Sequence, residues 1–187
     1  MLDNSTTISD QRTTQRYTGF RRWIVKIAAR EGYKELVDDM LQQGISNVDL
    51  VAISAAEGGH EHIVQHMIRR GANKFNRIAV AAAKSGHEQI VRDMIRRDPE
   101  HLMIDLTAIA EYAALEGRAG IVNDMINRGV DDYQWIAERA ALGGHKDIVD
   151  DMIRRGAYNF NDIAVQAAMK GYKDIVDDMM WRESLLT

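Results

Sequence analysis

Six stretches of this chain repeat one another, and the step between them limits what it can fold into. Ala55-Ala56-Glu57-Gly58-Gly59-His60 is followed by Ile63-Val64 and then by Met67-Ile68-Arg69-Arg70-Gly71. The string returns from Ala82, Ala113, Ala140 and Ala167, and a looser copy starts at Ala28. The step is 27 residues throughout, except for 31 between Ala82 and Ala113, where Asp98-Pro99-Glu100-His101-Leu102-Met103 adds four. A fixed short period means one supersecondary unit that cannot bury its apolar face alone and does so by stacking on its neighbours.

Each unit reads as two helices. In the third copy a helix is predicted over Asn76–Ser85, with Ile78, Ala79, Ala82 and Ala83 on one stripe, and a second over Glu88–Arg97, with Ile90, Val91, Met94 and Ile95 on its buried stripe. Gly86 ends the first helix, and Gly71 and Gly156 end the second in other copies. Alanines on the first helix allow close approach, while Ile, Val and Met on the second fill the space between layers. The methionine column (Met40, Met67, Met94, Met125, Met152, Met179) reads as core. One proline in 187 residues and no alternating apolar runs leave little room for strands. The expected fold is all-α, a solenoid of six helix-turn-helix units. A polar segment occupies 1–19, the array 20–183 with its insertion near 98–103, and a tail 184–187. The insertion is expected to bend or offset the array into two three-copy segments.

The totals exclude several classes. With no cysteine there is neither a disulfide framework nor a thiolate metal site. No apolar run is long enough to span a bilayer, so no membrane partner is expected. The N-terminal residues lack the apolar core of a secretory signal, which points to an intracellular protein, cytoplasmic or nuclear. A net charge of −4 argues against a dedicated nucleic-acid binder. There is no phosphate-binding glycine loop, no nucleophile elbow and no His-Glu-x-x-His motif, so no catalytic, cofactor or metal residue is assigned. His62 and His66 stand four apart on an exposed face but lack a third ligand, and read as chance surface histidines.

The string Ala-Ala-x-x-Gly-His-x-x-Ile-Val-x-x-Met-Ile-x-x-Gly-Ala, best seen in Ala82 to Met94 and Ala140 to Ala157, resembles the core of the ankyrin repeat. The resemblance covers residues 20 to 183. It departs from the family in its period, 27 residues here against about 33. It also lacks the Thr-Pro-Leu-His start, replaced by Phe75-Asn76-Arg77-Ile78 and Phe160-Asn161-Asp162-Ile163. The missing residues are those of the protruding β-hairpin, so the resemblance implies ankyrin-like helix pairs joined by short loops. Short repeats of this kind also look like those of large DNA viruses. What the resemblance implies is a non-catalytic scaffold that binds a protein partner, here a viral protein acting on host proteins. It further implies that His60, His87 and His145, in one column with Tyr33, Arg118 and Tyr172, are structural and bond to backbone between units.

Inverting the stripe of the first helix gives the face on which a partner would sit. Three columns are expected to be exposed. They are Trp23, Leu50, Arg77, Ala108, Trp135, Asp162; then Ile27, Ser54, Ala81, Tyr112, Arg139, Gln166; then Arg30, Glu57, Lys84, Leu115, Leu142, Met169. These columns vary while the core columns barely change, and they carry aromatic and leucine side chains of the kind that anchor interfaces. The protein-binding residues assigned on this basis are Trp23, Leu50, Arg77, Tyr112, Leu115, Trp135, Arg139 and Leu142. The opposite face carries pairs four apart, Asp93 with Arg97, Asp124 with Arg128, Asp150 with Arg154 and Asp151 with Arg155. A second reading is nucleic-acid binding through a ridge of Arg69, Arg70, Arg96, Arg97, Arg154 and Arg155, although these arginines suit the helix C-terminus and have aspartates nearby. A third is self-association through the ends. Tyr17, Phe20 and Trp23 are expected to cover the first copy. Met179, Met180, Trp181, Leu185 and Leu186 are expected to be left near an open end, a surface for a homodimer through the C-terminal copy.

Overall fold

The computed structural model describes residues 19–44, 47–98 and 103–185. Among these there are twelve helices and no strand. Helix α1 covers residues 19–30. It is followed by α2 (Lys34–Gln42), α3 (Val48–Glu57), α4 (Glu61–Arg69), α5 (Phe75–Ser85) and α6 (Glu88–Arg96). After the insertion come α7 (Leu106–Leu115), α8 (Ala119–Asn127), α9 (Tyr133–Gly143), α10 (Lys146–Arg155), α11 (Phe160–Ala168) and α12 (Lys173–Ser184). Each copy of the sequence repeat is thus one helix pair, with the odd-numbered helix first. The chain forms two compact units, Met1–Lys74 and Phe75–Thr187. They part between the second and third copies and not at the insertion, where a division into three and three was expected.

In the larger unit each odd-numbered helix packs on its own even-numbered partner, and α5, α7, α9 and α11 pack on one another in turn. The residues between them are small: Ala82, Ala83, Ala110, Ala113, Ala137 and Ala140 are buried. Met67, Met94, Met125, Met152 and Met179 are buried as expected of core, while Met40 in the first pair is half-buried.

A ring-on-glycine clasp joins successive pairs. His145 Nε2 donates to the Leu115 carbonyl at 3.1 Å, and His60 Nε2 donates to the Arg30 carbonyl at 2.9 Å. A carbonyl only accepts, so Nε2 carries the proton in both. Arg118, in the same column, reaches the Lys84 carbonyl with Nε at 3.3 Å. Each of these side chains lies over a glycine of the preceding pair. A Cβ on Gly117 would stand 2.5 Å from the His145 ring, and one on Gly32 would stand 2.5 Å from the His60 ring. Tyr172 covers Gly144 in the same way. Gly117 has φ +70 and Gly32 φ +84, left-handed values that side chains rarely adopt. The column therefore needs glycine twice, for the turn and for the ring above it.

A second clasp fastens the loops between pairs. Asp49 Oδ1 accepts the Asn73 and Lys74 N–H groups at 2.8 and 3.1 Å, Asn76 Oδ1 accepts the Asp105 N–H at 3.2 Å, and Gln134 Oε1 accepts those of Tyr158 and Asn159 at 3.0 Å. These three residues occupy one repeat position, at the start of the odd-numbered helix. The loops are further fixed by side-chain N-caps, Asn47, Asp105, Asp132 and Asn159, each accepting the N–H three residues on. At the insertion the chain is held by Asp98, 5% exposed, whose Oδ2 accepts the Met103 and Ile104 N–H groups at 2.8 Å each.

The even-numbered helices meet through a charge node. In the last two pairs, Lys146 reaches Asp150 (3.1 Å) and Asp178 (2.5 Å), and Arg182 reaches Asp150 (2.9 Å) and Asp178 (3.3 Å). The first two pairs do the same with Asp38 bound by Lys34 (2.6 Å), His66 (2.8 Å) and Arg70 (3.7 Å). Between α6 and α8 the node is Glu88–Arg92–Asp124–Arg128. Between α8 and α10 it is neutralised. Ala119 and Asn123 stand where the other nodes carry Glu88 and Arg92 or Lys146 and Asp150; Arg155 donates to Asn123 at 3.1 Å, and a cleft of about 260 Å³ lies beside that bond.

Several expectations are corrected. Ser54 and Ala81 are buried, not exposed, and Tyr112 and Arg139 in their column are half-buried. In the larger unit this column lies along the line where odd-numbered helices meet, so it does not face solvent fully. Phe20 and Trp23 stack on each other at 6.4 Å and remain exposed, and Tyr17 lies outside the described residues. Met179 is buried in the core of its own pair, leaving Met180, Trp181 and Leu185 exposed, with Leu186 outside the described residues. Asp150 pairs with Lys146 and Arg182 in place of Arg154, which turns to Asp151. The pairs Asp93–Arg97, Asp124–Arg128 and Asp151–Arg155 form as expected. His66 is no chance histidine, since it serves the node at Asp38.

Two outcomes follow for stability. Gly117→Ala places a Cβ against the His145 ring at a left-handed φ and should cost ~1–3 kcal/mol in urea unfolding. Part of that cost should disappear in a His145→Ala background, where the ring is gone; strict additivity of the two changes would remove the clasp from the account. The nodes set the pH response. Burial opposes the Asp178 carboxylate, but hydrogen bonds from Lys146 and Arg182 outweigh it and hold its pKa below the ordinary carboxylate range. Asp38 is lowered first by its bond from Lys34, against burial and together with His66. Burial likewise opposes the Lys146 ammonium, but bonds to Asp178 and Asp150 raise its pKa. A lowered carboxylate contributes stability that is complete above its unfolded pKa and is lost as pH falls through its folded pKa. Thermal unfolding should therefore show a loss of stability below about pH 4, and Asp178→Asn should flatten that slope while costing stability at neutral pH.

Candidate protein-binding face

The assigned residues do not form one described surface. Trp23 and Leu50 belong to the unit of residues 1–74, where Trp23 is exposed on α1 and Leu50 half-buried on α3. Arg77 is exposed in the first turn of α5. The other five, Tyr112 and Leu115 on α7 and Trp135, Arg139 and Leu142 on α9, share one strip of the larger unit. Tyr112 with Leu115, and Arg139 with Leu142, stand three apart on one helix face. The two helices are adjacent, so the strip is continuous.

Three contacts organise it. Lys84 Nζ stands 3.9 Å from the centre of the Tyr112 ring, joining α5 to α7. Arg139 Cζ lies 5.9 Å from the centre of the Trp135 ring one turn earlier on α9. Arg139 Nε lies 3.2 Å from Glu111 Oε1 on α7, an ion-pair distance. Its N–H is not directed at that oxygen, so the nitrogen makes no hydrogen bond among the described residues. The strip thus alternates aromatic faces with cations across three helices, each cation standing against a ring. Trp135 is positioned by the Asp132 cap, whose carboxylate accepts the Trp135 N–H at 3.0 Å.

Lys84 and Glu111 are members of this strip that were not assigned to it from the sequence. Glu111 had a signal: the equivalent positions Ile53 and Val80 are apolar, and the change to an acid falls one place before Tyr112 and one copy before Arg139. The chemistry offered is flat, amphipathic contact area with one acidic and two basic groups. Among the described residues no group of three or more His, Asp or Glu side chains is placed to hold a metal, and no helix is long and apolar enough to cross a membrane.

The arginines of the opposite face are engaged. Arg96 and Arg97 reach Asp93 at 3.4 and 3.1 Å, Arg154 and Arg155 reach Asp151 at 3.1 and 2.9 Å, and Arg155 also donates to Asn123. Burial opposes the Asp151 carboxylate, and bonds from Arg155 and Arg154 overcome it and lower its pKa. In the smaller unit Arg70 reaches Asp38 and Arg69 is exposed. The α8–α10 cleft is lined by the same Asp151, Arg154 and Arg155 together with Asp147, two acids against two bases. Phosphate contact would have to displace these carboxylates, which is the reverse of an uncompensated basic surface.

Compared with known proteins, the chain matches no family model and no curated protein.

The Lys84–Tyr112 contact is measurable. A double-mutant cycle of Lys84→Met and Tyr112→Leu, read by urea unfolding, should return a coupling of ~0.5–1 kcal/mol. A coupling of zero would mean that the strip is not preorganised by its cations.

Proposed function

We propose that this chain is a non-catalytic, protein-binding scaffold built of ankyrin-like helix pairs, and that it captures its partner on the strip formed by Tyr112, Leu115, Trp135, Arg139 and Leu142. The observation that carries this reading is the placement of Trp135. It is the one tryptophan of the larger unit's odd-numbered helices, it stands exposed beside Arg139, and the helices around it are otherwise lined by buried alanine. Tryptophan, tyrosine and arginine are the residues most enriched among the anchors of protein contacts: the two aromatics bury large areas with few rotors to freeze, and the guanidinium adds a planar set of donors. Core columns that barely change beneath surface columns that do are what a scaffold needs in order to keep its shape while presenting a specific face. Resemblance to the short repeats of large DNA viruses points to a host protein as the partner.

The reading is tested by placing a photo-crosslinking amino acid at position 135, and separately at position 96 on the opposite face, in the native cell. Adducts to a protein should form from position 135, and Trp135→Ala with Arg139→Ala should weaken the same capture by at least tenfold, as loss of two anchors does. Adducts only from position 96, or adducts to nucleic acid whose yield falls steeply when lysate is crosslinked at rising salt, would replace this reading with the arginine face.

A further inference from the structure

Among the described residues, the last helix pair presents, unfilled, the seat on which the earlier pairs of the larger unit hold their successors. Gly144 carries the Tyr172 ring, whereas Gly171, one repeat further on, has φ +82 and no heavy atom within 4 Å of where a Cβ would stand. Lys146 binds Asp178 of the next pair, whereas its equivalent Lys173 bonds Asp177 of its own helix and remains 81% exposed. Glu111 meets Arg139 of the next pair, whereas its equivalent Val165 is exposed, as is Met169 one turn on.

The first helix pair presents the matching half. Tyr33 stands in the column of Tyr172 and is 60% exposed. Asp39 stands in the column of Asp178 and is exposed. Ile27 stands in the column of Arg139 and is exposed. The second pair is held through other groups of the first, Gly32, the Arg30 carbonyl and Asp38, which leaves Tyr33, Asp39 and Ile27 exposed. Three of the contacts that the internal register makes thus have both partners at the two ends: ring with glycine, ammonium with carboxylate, and an Arg139–Glu111 ion pair exchanged for the apolar pair Ile27 and Val165. The exchange is concerted, since an apolar residue at only one end would desolvate a charge at the other.

We infer that the partner of these two ends is a second copy of this chain, its first helix pair docked on the last pair of another in the register that joins pairs within the chain. Tyr33 of one copy lies over Gly171 of the next, and Lys173 meets Asp39. The contact is heterologous, so it repeats from copy to copy until it closes into a ring or grows on. It uses neither Tyr112 nor Trp135, so this proposal and the partner-binding strip stand or fall separately.

Sedimentation of the 187-residue chain from about 1 µM to about 1 mM, the range in which weak protein contacts populate, reads the proposal. Mean mass should rise with concentration. Tyr33→Ala and Gly171→Asn should each shift association at least tenfold to higher concentration; asparagine tolerates the left-handed φ, and circular dichroism checks that both variants fold. An equimolar mixture of the two retains one native contact and should give a one-to-one dimer that does not grow. Three results overturn the proposal: a chain that is monomeric throughout, association unchanged in both variants, as a symmetric contact through Trp181 would give, or a mixture that associates no better than either variant alone. Should Gly171→Asn fail to fold, Tyr33→Ala alone decides, because its side chain is already in water.

Discussion

Within each unit, successive helix pairs are joined by a side chain laid over a glycine. At each clasp a ring or guanidinium from one helix pair covers a left-handed glycine of the pair before it, and His60, Arg118 and His145 also give a proton to the carbonyl two residues upstream of that glycine. That carbonyl belongs to the last turn of a helix, whose acceptors have no partner within the helix. The clasp therefore meets three needs together. It satisfies an end-of-helix acceptor, fills the space left by a missing Cβ, and sets the distance between successive helices at that point. Alanine lines the rest of the contact because that distance is short.

On the other side of each pair the joint is electrostatic and tolerant. The same two positions hold Lys34 and Asp38, Glu88 and Arg92, or Lys146 and Asp150, with signs exchanged freely so long as the neighbouring helix answers. Partly exposed ion pairs of this kind add little each, but they exclude like-charged alternatives and so help to define register. The two sides divide the labour: close, short-range fit on the odd-numbered helices, longer-range charge matching on the even-numbered ones.

Much of this architecture was legible before any coordinates. The helix pairs over Phe75–Ser85 and Glu88–Arg96 fall within a residue of where periodicity puts them, because core columns at helical spacing leave no other assignment. The structural role implied for the histidine column holds at His60 and His145. What the sequence concealed depends on contacts between copies. The column of Ser54 and Ala81 points outward from its own helix but is buried, in the larger unit at the meeting line of neighbouring helices. Asp98 looks like a loop acid and is in fact a buried acceptor for two backbone donors. Glu111 and Lys84 join the strip only because Arg139 and Tyr112 lie on adjacent helices, information that no single-helix stripe contains.

The junction between α8 and α10 has a consequence of its own. There the histidine clasp is intact, with His145 on Gly117, while on the far side Ala119 and Asn123 replace a charged pair and Arg155 donates to the neutral Asn123 amide beside the cleft. The ion pairs at the neighbouring joints, Arg92 with Asp124 and Arg182 with Asp150, end on carboxylates. A carboxylate lost to protonation takes its ion pair with it, whereas an amide oxygen keeps its lone pairs across the same range. The helix pairs that carry Tyr112 and Trp135 are thus joined, on this side, by a bond indifferent to acid.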